Sequence, residues 1–507
     1  MAAVTEWLQE RAAHYDLFDE TEVDQQRYTP WFLLGPMQYF FFLIILFTGF
    51  YLVIFYVPTP YRAYDTVQDI QNIVPLGWLF RGLHKYAADA FLITSTMRVY
   101  RMYFTAELRK PKELTYITSV GLLVFGMFSG LTGYLLIWNQ RAFWATKVFA
   151  TFPTYLADPY FAQYLHIPNF QLGRTISEVM LGGASLGPGT LTRFYAGHYA
   201  LSLILMILAE VHFQRMGSRR LNMGRFSQLL FLGMLIFVAA VLPATMGARA
   251  DPFQTPERMF SDWYFLGLYH MYRLQDPFWA TIITVVIPVG AMAVAFFERG
   301  GSRRVLDRPM TFVFGMLAMF YWLLFSHLLI TNHADIHKDP YWIMSLAGIF
   351  CLVGMFWHIA HFKKKGLIRP FPDMVDGVML SWAAAGFISF MHFAWGAGLV
   401  KSYGPILKPL SIWGGYEPVF FTIPSGKIEW WSDKVNTQML LIIGGVALIM
   451  FLYGTLKDLP SRWANRKAAW KDEIPPPVTV GVDRRYALFY VGFFFVLIYV
   501  ACFGLIS

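Results

Sequence analysis

Apolar residues in this chain gather in blocks of about twenty, separated by short polar or charged connections; a helix of that length spans the roughly 30 Å hydrocarbon core of a bilayer. The pattern predicts about eleven such helices, at approximately 32–57, 77–104, 117–138, 193–214, 228–247, 277–297, 311–330, 342–361, 377–400, 437–455 and 486–506. The expected fold class is therefore all-α, a polytopic integral membrane protein. Composition agrees: of 507 residues 56% are hydrophobic, 18% aromatic and 14% charged, where a soluble domain carries about 25% charged residues.

The formal charge of +9 is spread over the connections rather than gathered on one face, which argues against nucleic acid and for a topology signal. With the N-terminus in the cytoplasm, the cytoplasmic connections hold Arg109, Lys110 and Lys112; Arg215, Arg219 and Arg220; Arg299, Arg303 and Arg304; Lys363 to Lys365; and Arg462, Arg466 and Lys467. The C-terminus is then expected outside. Met1 to about Tyr28 is polar and acidic and reads as a cytoplasmic leader. The cysteines, Cys351 and Cys502, both lie in apolar blocks and provide no disulfide framework and no CxxCH attachment motif. Two outer connections, 139–192 and 248–276, are too long for simple turns and are where function is expected.

Histidine spacing carries the chemistry. His198 and His212 stand fourteen residues apart on the fourth predicted helix. That is nearly four whole turns, so both rings emerge on almost one face, about 21 Å apart along the axis. Such a ladder suits two stacked cofactors, one in each leaflet. His84 sits near the outer end of the second helix at a depth matching His198, and the two can ligate one haem iron between them. The alternative is that these are packing histidines, although polar residues inside membrane helices are by default functional.

The motifs around these histidines resemble the cytochrome b family. Gly77-Trp78-Leu79-Phe80-Arg81-Gly82-Leu83-His84, then Arg101 and Lys110-Pro111-Lys112-Glu113-Leu114-Thr115, are similar to its second helix and the following loop. Gly133-Tyr134 with Trp138-Asn139-Gln140 resembles the end of its third helix, and Thr190 to Tyr195 with His198 and His212 its fourth. The resemblance covers roughly residues 30–330. It implies a haem-binding four-helix bundle over 31–220, a second part with a quinol-oxidation loop over 221–335, and extra transmembrane helices over 336–507, after a leader at 1–30. It also implies haem b as cofactor and quinol as substrate. Gly35, Gly49 and Gly133 then leave room for the cofactor, as glycines do where helices approach closely. The family has a further glycine fourteen positions before Gly133, where this chain has Ser119. Arg81 and Arg193 are suited to pairing propionates, or else snorkel at the interface.

Two departures matter. The family's fourth ligand falls fourteen residues after His84, and that position is Arg98. A guanidinium, with a pKa above about 12, offers no lone pair to iron. Three outcomes stay open: no inner haem; a five-coordinate haem on His212 with Arg98 pairing a propionate or a quinone oxygen; or a ligand from another helix, such as His358 or His361. The second departure is in Asp251-Pro252-Phe253-Gln254-Thr255-Pro256-Glu257 and Ser261-Asp262-Trp263-Tyr264, which resembles the quinol-oxidation loop, where the family has Pro-Glu-Trp-Tyr. Quinol oxidation releases protons, so a carboxylate beside the ring hydroxyl is useful. Asp262 supplies one on a shorter arm, and Tyr264 is placed to order the site or bond the ring.

Beyond about residue 335 the resemblance ends; His333, His337 and His392 read as structural residues or partner contacts, and the 401–436 loop as a docking surface or a cap. The resemblance implies a quinol oxidoreductase subunit acting with a separate Rieske-type iron–sulfur subunit and a c-type cytochrome or other redox subunit. A dimeric multisubunit complex in a bacterial or archaeal plasma membrane is expected. The competing readings are a single-haem quinone-linked subunit that does not bifurcate electrons, and a non-redox anchor or transporter.

Overall fold

The computed structural model describes residues 33–109, 112–157, 172–214 except 184, 223–256, 261–274, 277–297, 311–319 and 484–506, with 308, 322, 349, 353, 357 and 360 singly. The leader and most of the predicted helices between 320 and 483 lie outside the described residues, as do His333, His337, His358, His361 and His392.

Among the described residues the chain is helical throughout, with one isolated bridge between Asn139 and Arg249. In order come α1 (Leu34–Phe55), α2 (Ala63–Asn72), α3 (Gly77–Phe104), α4 (Glu113–Leu135), α5 (Gln140–Thr151), α6 (Leu172–Leu181), α7 (Pro188–Gln214), α8 (Gly224–Val241), α9 (Leu266–Leu274), α10 (Pro277–Phe297) and α11 (Arg484–Ile506). Leu34–Phe55, Glu113–Leu135 and Pro188–Phe213 are long and apolar enough to cross a membrane. At 28 residues α3 has the length but carries Arg81, Lys85, Asp89, Arg98 and Arg101, a charge load that marks it as the chemical helix of the bundle.

Predicted and observed boundaries agree closely for α1, α3, α10 and α11. Helix α8 stops at Val241, short of the predicted 247, because Leu242 precedes Pro243 and the residue before proline avoids the helical region. The connections hold more structure than hydropathy shows. Helix α2 buries Ala63, Thr66, Val67 and Ile70, one stripe at helical spacing. The 139–192 connection contains α5, a 3-10 turn at Phe152–Ala157 and α6.

The chain divides into two compact units. One comprises Met1–Val99, Leu114–Asp262 and Trp430–Ser507; the other comprises Tyr100–Glu113 and Trp263–Glu429. In the first, the C-terminal helix α11 closes on α1 and α8: the Phe493 ring stacks on Phe41 at 5.7 Å and meets Phe231 at 5.4 Å, while Ser227 and Tyr490 share a 2.7 Å hydrogen bond. The last helix, beyond the reach of the resemblance, is thus part of this bundle. In the second unit, the 3-10 turn Trp263–Phe265 leads into α9. Tyr272 of α9 donates to Thr281 Oγ1 of α10 at 3.0 Å. Buried Arg308 donates to the carbonyls of Tyr103 and Phe104, capping α3.

Candidate functional site

The His84 ring on α3 faces the His198 ring on α7, with centroids 6.4 Å apart and planes inclined by 69°. An imidazole nitrogen binds a transition metal at about 2 Å, so two rings sharing one ion stand about 6 Å apart, centre to centre. The hydrogen bonds set the ring tautomers. His84 Nδ1 lies 3.1 Å from the Ile45 carbonyl and 3.1 Å from Thr48 Oγ1, and His198 Nδ1 lies 2.9 Å from the Ser129 carbonyl and 3.2 Å from Thr132 Oγ1. A carbonyl only accepts, so each Nδ1 carries the proton and each Nε2 keeps its lone pair, the arrangement metal-ligating histidines use.

Both carbonyls are available because of helix chemistry. Thr48 donates to Ile44 and Ile45 carbonyls one turn back, and Thr132 does the same to Phe128 and Ser129. In each case a threonine and the carbonyl three residues before it present a polar notch to the ring.

Glycines make room. A Cβ on Gly49 would stand 3.2 Å from His84 Cε1, and one on Gly133 would stand 2.7 Å from His198 Cε1. Both glycines, expected from the sequence to leave room for the cofactor, lie against the imidazoles. Four residues from four helices thus converge, and they fit a bis-imidazole iron site. Gly35 is buried in the first turn of α1, and His212 and Arg98 lie at the opposite level of the bundle.

The two arginines expected near propionates have protein acceptors. Arg81 donates to Gln71 Oε1 at 2.7 Å and to the carbonyls of Ala244 and Thr245 at 2.6 and 2.9 Å, tying α2 and the segment after α8 to α3. Arg193 donates to the Gly189 carbonyl at 3.2 Å, beside Gly182 in a left-handed conformation.

Residues 246–254 and Ser261 are pinned to the end of the bundle by Trp138 to Arg141. Ala250 donates to the Trp138 carbonyl at 3.1 Å and Gln140 to the Ala248 carbonyl at 2.8 Å. Asn139 donates Nδ2–H to the Met246 carbonyl at 2.7 Å, and its Oδ1 accepts from Ala142 as the N-cap of α5. Gln140 Oε1 accepts from Asp251 N at 2.6 Å. Arg249 pairs with Asp65 and lies over the Tyr64 ring at 5.2 Å.

This anchoring sets Asp262 in a basic environment. Arg141 donates to the Ser261 carbonyl at 2.9 Å and its Nη2 stands 3.9 Å from Asp262 Oδ1. Lys85, the neighbour of His84, interacts electrostatically with Asp262 and forms a 3.1 Å ion pair with buried Asp89. The sequence reading missed Lys85, Asp89 and Arg141. Two charges four residues apart within a membrane helix were the signal for the first two. Tyr264, in the second unit, is buried between Trp263 and Phe265, at 5.5 and 5.0 Å between ring centres.

Comparison with known proteins gives this arrangement its context. Residues 21–219 match the family model for cytochrome b/b6/petB, and residues 249–353 match that for the C-terminal cytochrome b/b6/petD part. Cytochrome b6 of Cyanothece sp. is 36% identical over 216 residues, covering 41% of this chain and 90% of the relative. The chain belongs to the cytochrome b family. The cytochrome bc complex cytochrome b subunit of Chlorobaculum thiosulfatiphilum is 27% identical over 357 residues, 64% of this chain and 79% of that one. A solved structure described as hyperthermophilic respiratory Complex III shares the fold at a TM-score of 0.55 and 19% identity, covering 77% of this chain and all of the other. Haem b is the expected cofactor of a cytochrome b, and the His84–His198 pair lies within the matched region.

Proposed function

We propose that this chain is the membrane cytochrome b subunit of a bc-type quinol:acceptor oxidoreductase, oxidising quinol at the outer face of a bacterial or archaeal plasma membrane. Electrons would pass to haem b and to separate subunits, a Rieske-type iron–sulfur protein and a c-type cytochrome or equivalent. The observation that carries this reading is the His84–His198 pair, 6.4 Å apart with both Nδ1 atoms on carbonyls. A non-redox anchor or transporter gives no reason for two opposed rings, two fixed tautomers and two glycines cut to fit them.

His84 and His198 would hold haem b through Nε2. When bound, haem b supplies a one-electron carrier within the bundle. The protein's remaining task is to take the protons that quinol releases. Asp262 is the group for this: partly buried beside Arg141, it accepts a proton from the quinol hydroxyl as general base. Arg141 and Lys85 place positive charge near the carboxylate. Arg141 also holds the Ser261 carbonyl, so that the loop does not swing when Asp262 is neutralised. Tyr264 is assigned the lesser role of ordering its segment through the aromatic cluster with Trp263 and Phe265.

Stopped-flow measurement of quinol oxidation by the membrane-embedded complex tests this role. Asp262→Asn is expected to slow the reaction by roughly 10²- to 10⁴-fold with haem content unchanged, and Asp262→Glu to restore most of it. An asparagine variant as fast as the wild type would rule Asp262 out as the proton acceptor.

A further inference from the structure

At the inner level of the first unit the residues do not fit a second haem, and we infer that this chain holds a single haem b, with a polar side-chain lock where an inner one would sit. The inference rests on the cytochrome reading above. The step of fourteen residues from His198 to His212 along α7 reaches this level; the same step from His84 along α3 reaches Arg98.

Arg98 is buried, 7% exposed, and committed to protein. It donates Nη1–H to Gln38 Oε1 at 3.1 Å; Gln38 donates to Ser95 Oγ at 2.6 Å, and Ser95 donates to the Phe91 carbonyl at 2.6 Å. The guanidinium carbon lies 5.2 Å from the centre of the Phe213 ring, a cation–π contact of the kind that desolvation strengthens. Tyr39 packs on the same ring at 5.1 Å and donates to Glu210 Oε1 at 2.8 Å. Gln38 and Phe213 are both fully buried. At the level of Arg98, side chains of α1, α3 and α7 therefore hold one another.

The two levels differ on α4 as well. At the outer level Gly133 leaves space against His198; fourteen residues earlier stands Ser119, buried, its hydroxyl donating to the Thr115 carbonyl at 2.9 Å. His212, also buried, shares a 2.7 Å hydrogen bond with Thr118 Oγ1 and packs edge-on against Phe213 at 4.8 Å. A buried arginine is costly unless its donors are met, and Gln38 with the Phe213 face contributes to meeting them. Iron would have to displace this network and would gain from α3 a side chain with no lone pair.

The test is non-covalent haem per polypeptide, by pyridine haemochrome extraction and amino-acid analysis, on the full-length chain purified from membranes. The wild type is expected to hold one haem b per chain, His212→Gln one, and His198→Ala none. About two haems per wild-type chain would overturn the inference and leave the cytochrome reading intact, as would loss of the haem in a membrane-inserted His212→Gln variant. A wild type with no haem removes the cytochrome reading itself. If His212→Gln does not accumulate, the wild-type stoichiometry decides alone.

Discussion

Glycine at 133 and 49 is a matter of tenths of an ångström. A methyl group at 133 would stand 2.7 Å from His198 Cε1, inside van der Waals contact, while at 49 the distance to His84 Cε1 is 3.2 Å. The His198 ring is held by the Ser129 carbonyl of the same helix as Gly133, so it cannot draw away from position 133 without straining its tautomer-setting bond. Gly133→Ala is therefore expected to shift the haem midpoint potential or lower haem retention, and to destabilise the fold by about 1–3 kcal/mol, the usual cost of overpacking. Gly49→Ala should show the same effects more weakly. Redox titration with haem quantitation checks both; a Gly133→Ala protein matching the wild type in potential and content would mean the close approach is not maintained in the membrane.

Among the elements, α5 bears most directly on the site, because its N-cap also holds the start of the proposed quinol loop. Asn139 caps α5 through Ala142 and reaches across to Met246. Asn139→Ala should cost about 0.5–2 kcal/mol from the cap alone, seen as a lower unfolding temperature. It should also slow quinol oxidation without changing haem content, because the segment carrying Asp262 loses a tether. A variant that is destabilised but oxidises quinol at the wild-type rate would show that the tether does not position the loop. Helices α1, α3 and α7 were legible in the sequence because apolar blocks and a fourteen-residue histidine repeat are local signals. Helices α2, α5 and α6 were not, since short amphipathic helices in a connection do not raise local hydropathy. The same contrast holds inside the site. His84 and His198 were matched by depth along their helices, whereas the Arg98–Gln38 bond joins residues 60 apart and the Arg141–Ser261 bond residues 120 apart. No periodicity encodes such contacts. The role of α11 was illegible for the same reason: its stacking of Phe493 on Phe41 joins the two ends of the chain.

For the molecule as a whole, the chain combines a family signature with a departure at one level of it. Helices long enough to cross a bilayer, basic connections predicted on one side and a paired-imidazole site near the other end are the features on which the proposed uptake of electrons at one membrane face rests. Under the further inference, the Arg98 lock leaves no iron centre at the inner level of the first unit to carry them to the other. The central claim is that quinol delivers electrons to a haem held by His84 and His198. The direct measurement is an optical difference spectrum of the purified full-length protein with quinol as the only reductant. The account predicts a b-type haem spectrum that develops on adding quinol in the wild type and is absent from His84→Ala and His198→Ala proteins that still insert in the membrane. A haem that quinol leaves oxidised, or one that survives loss of both histidines, would contradict it.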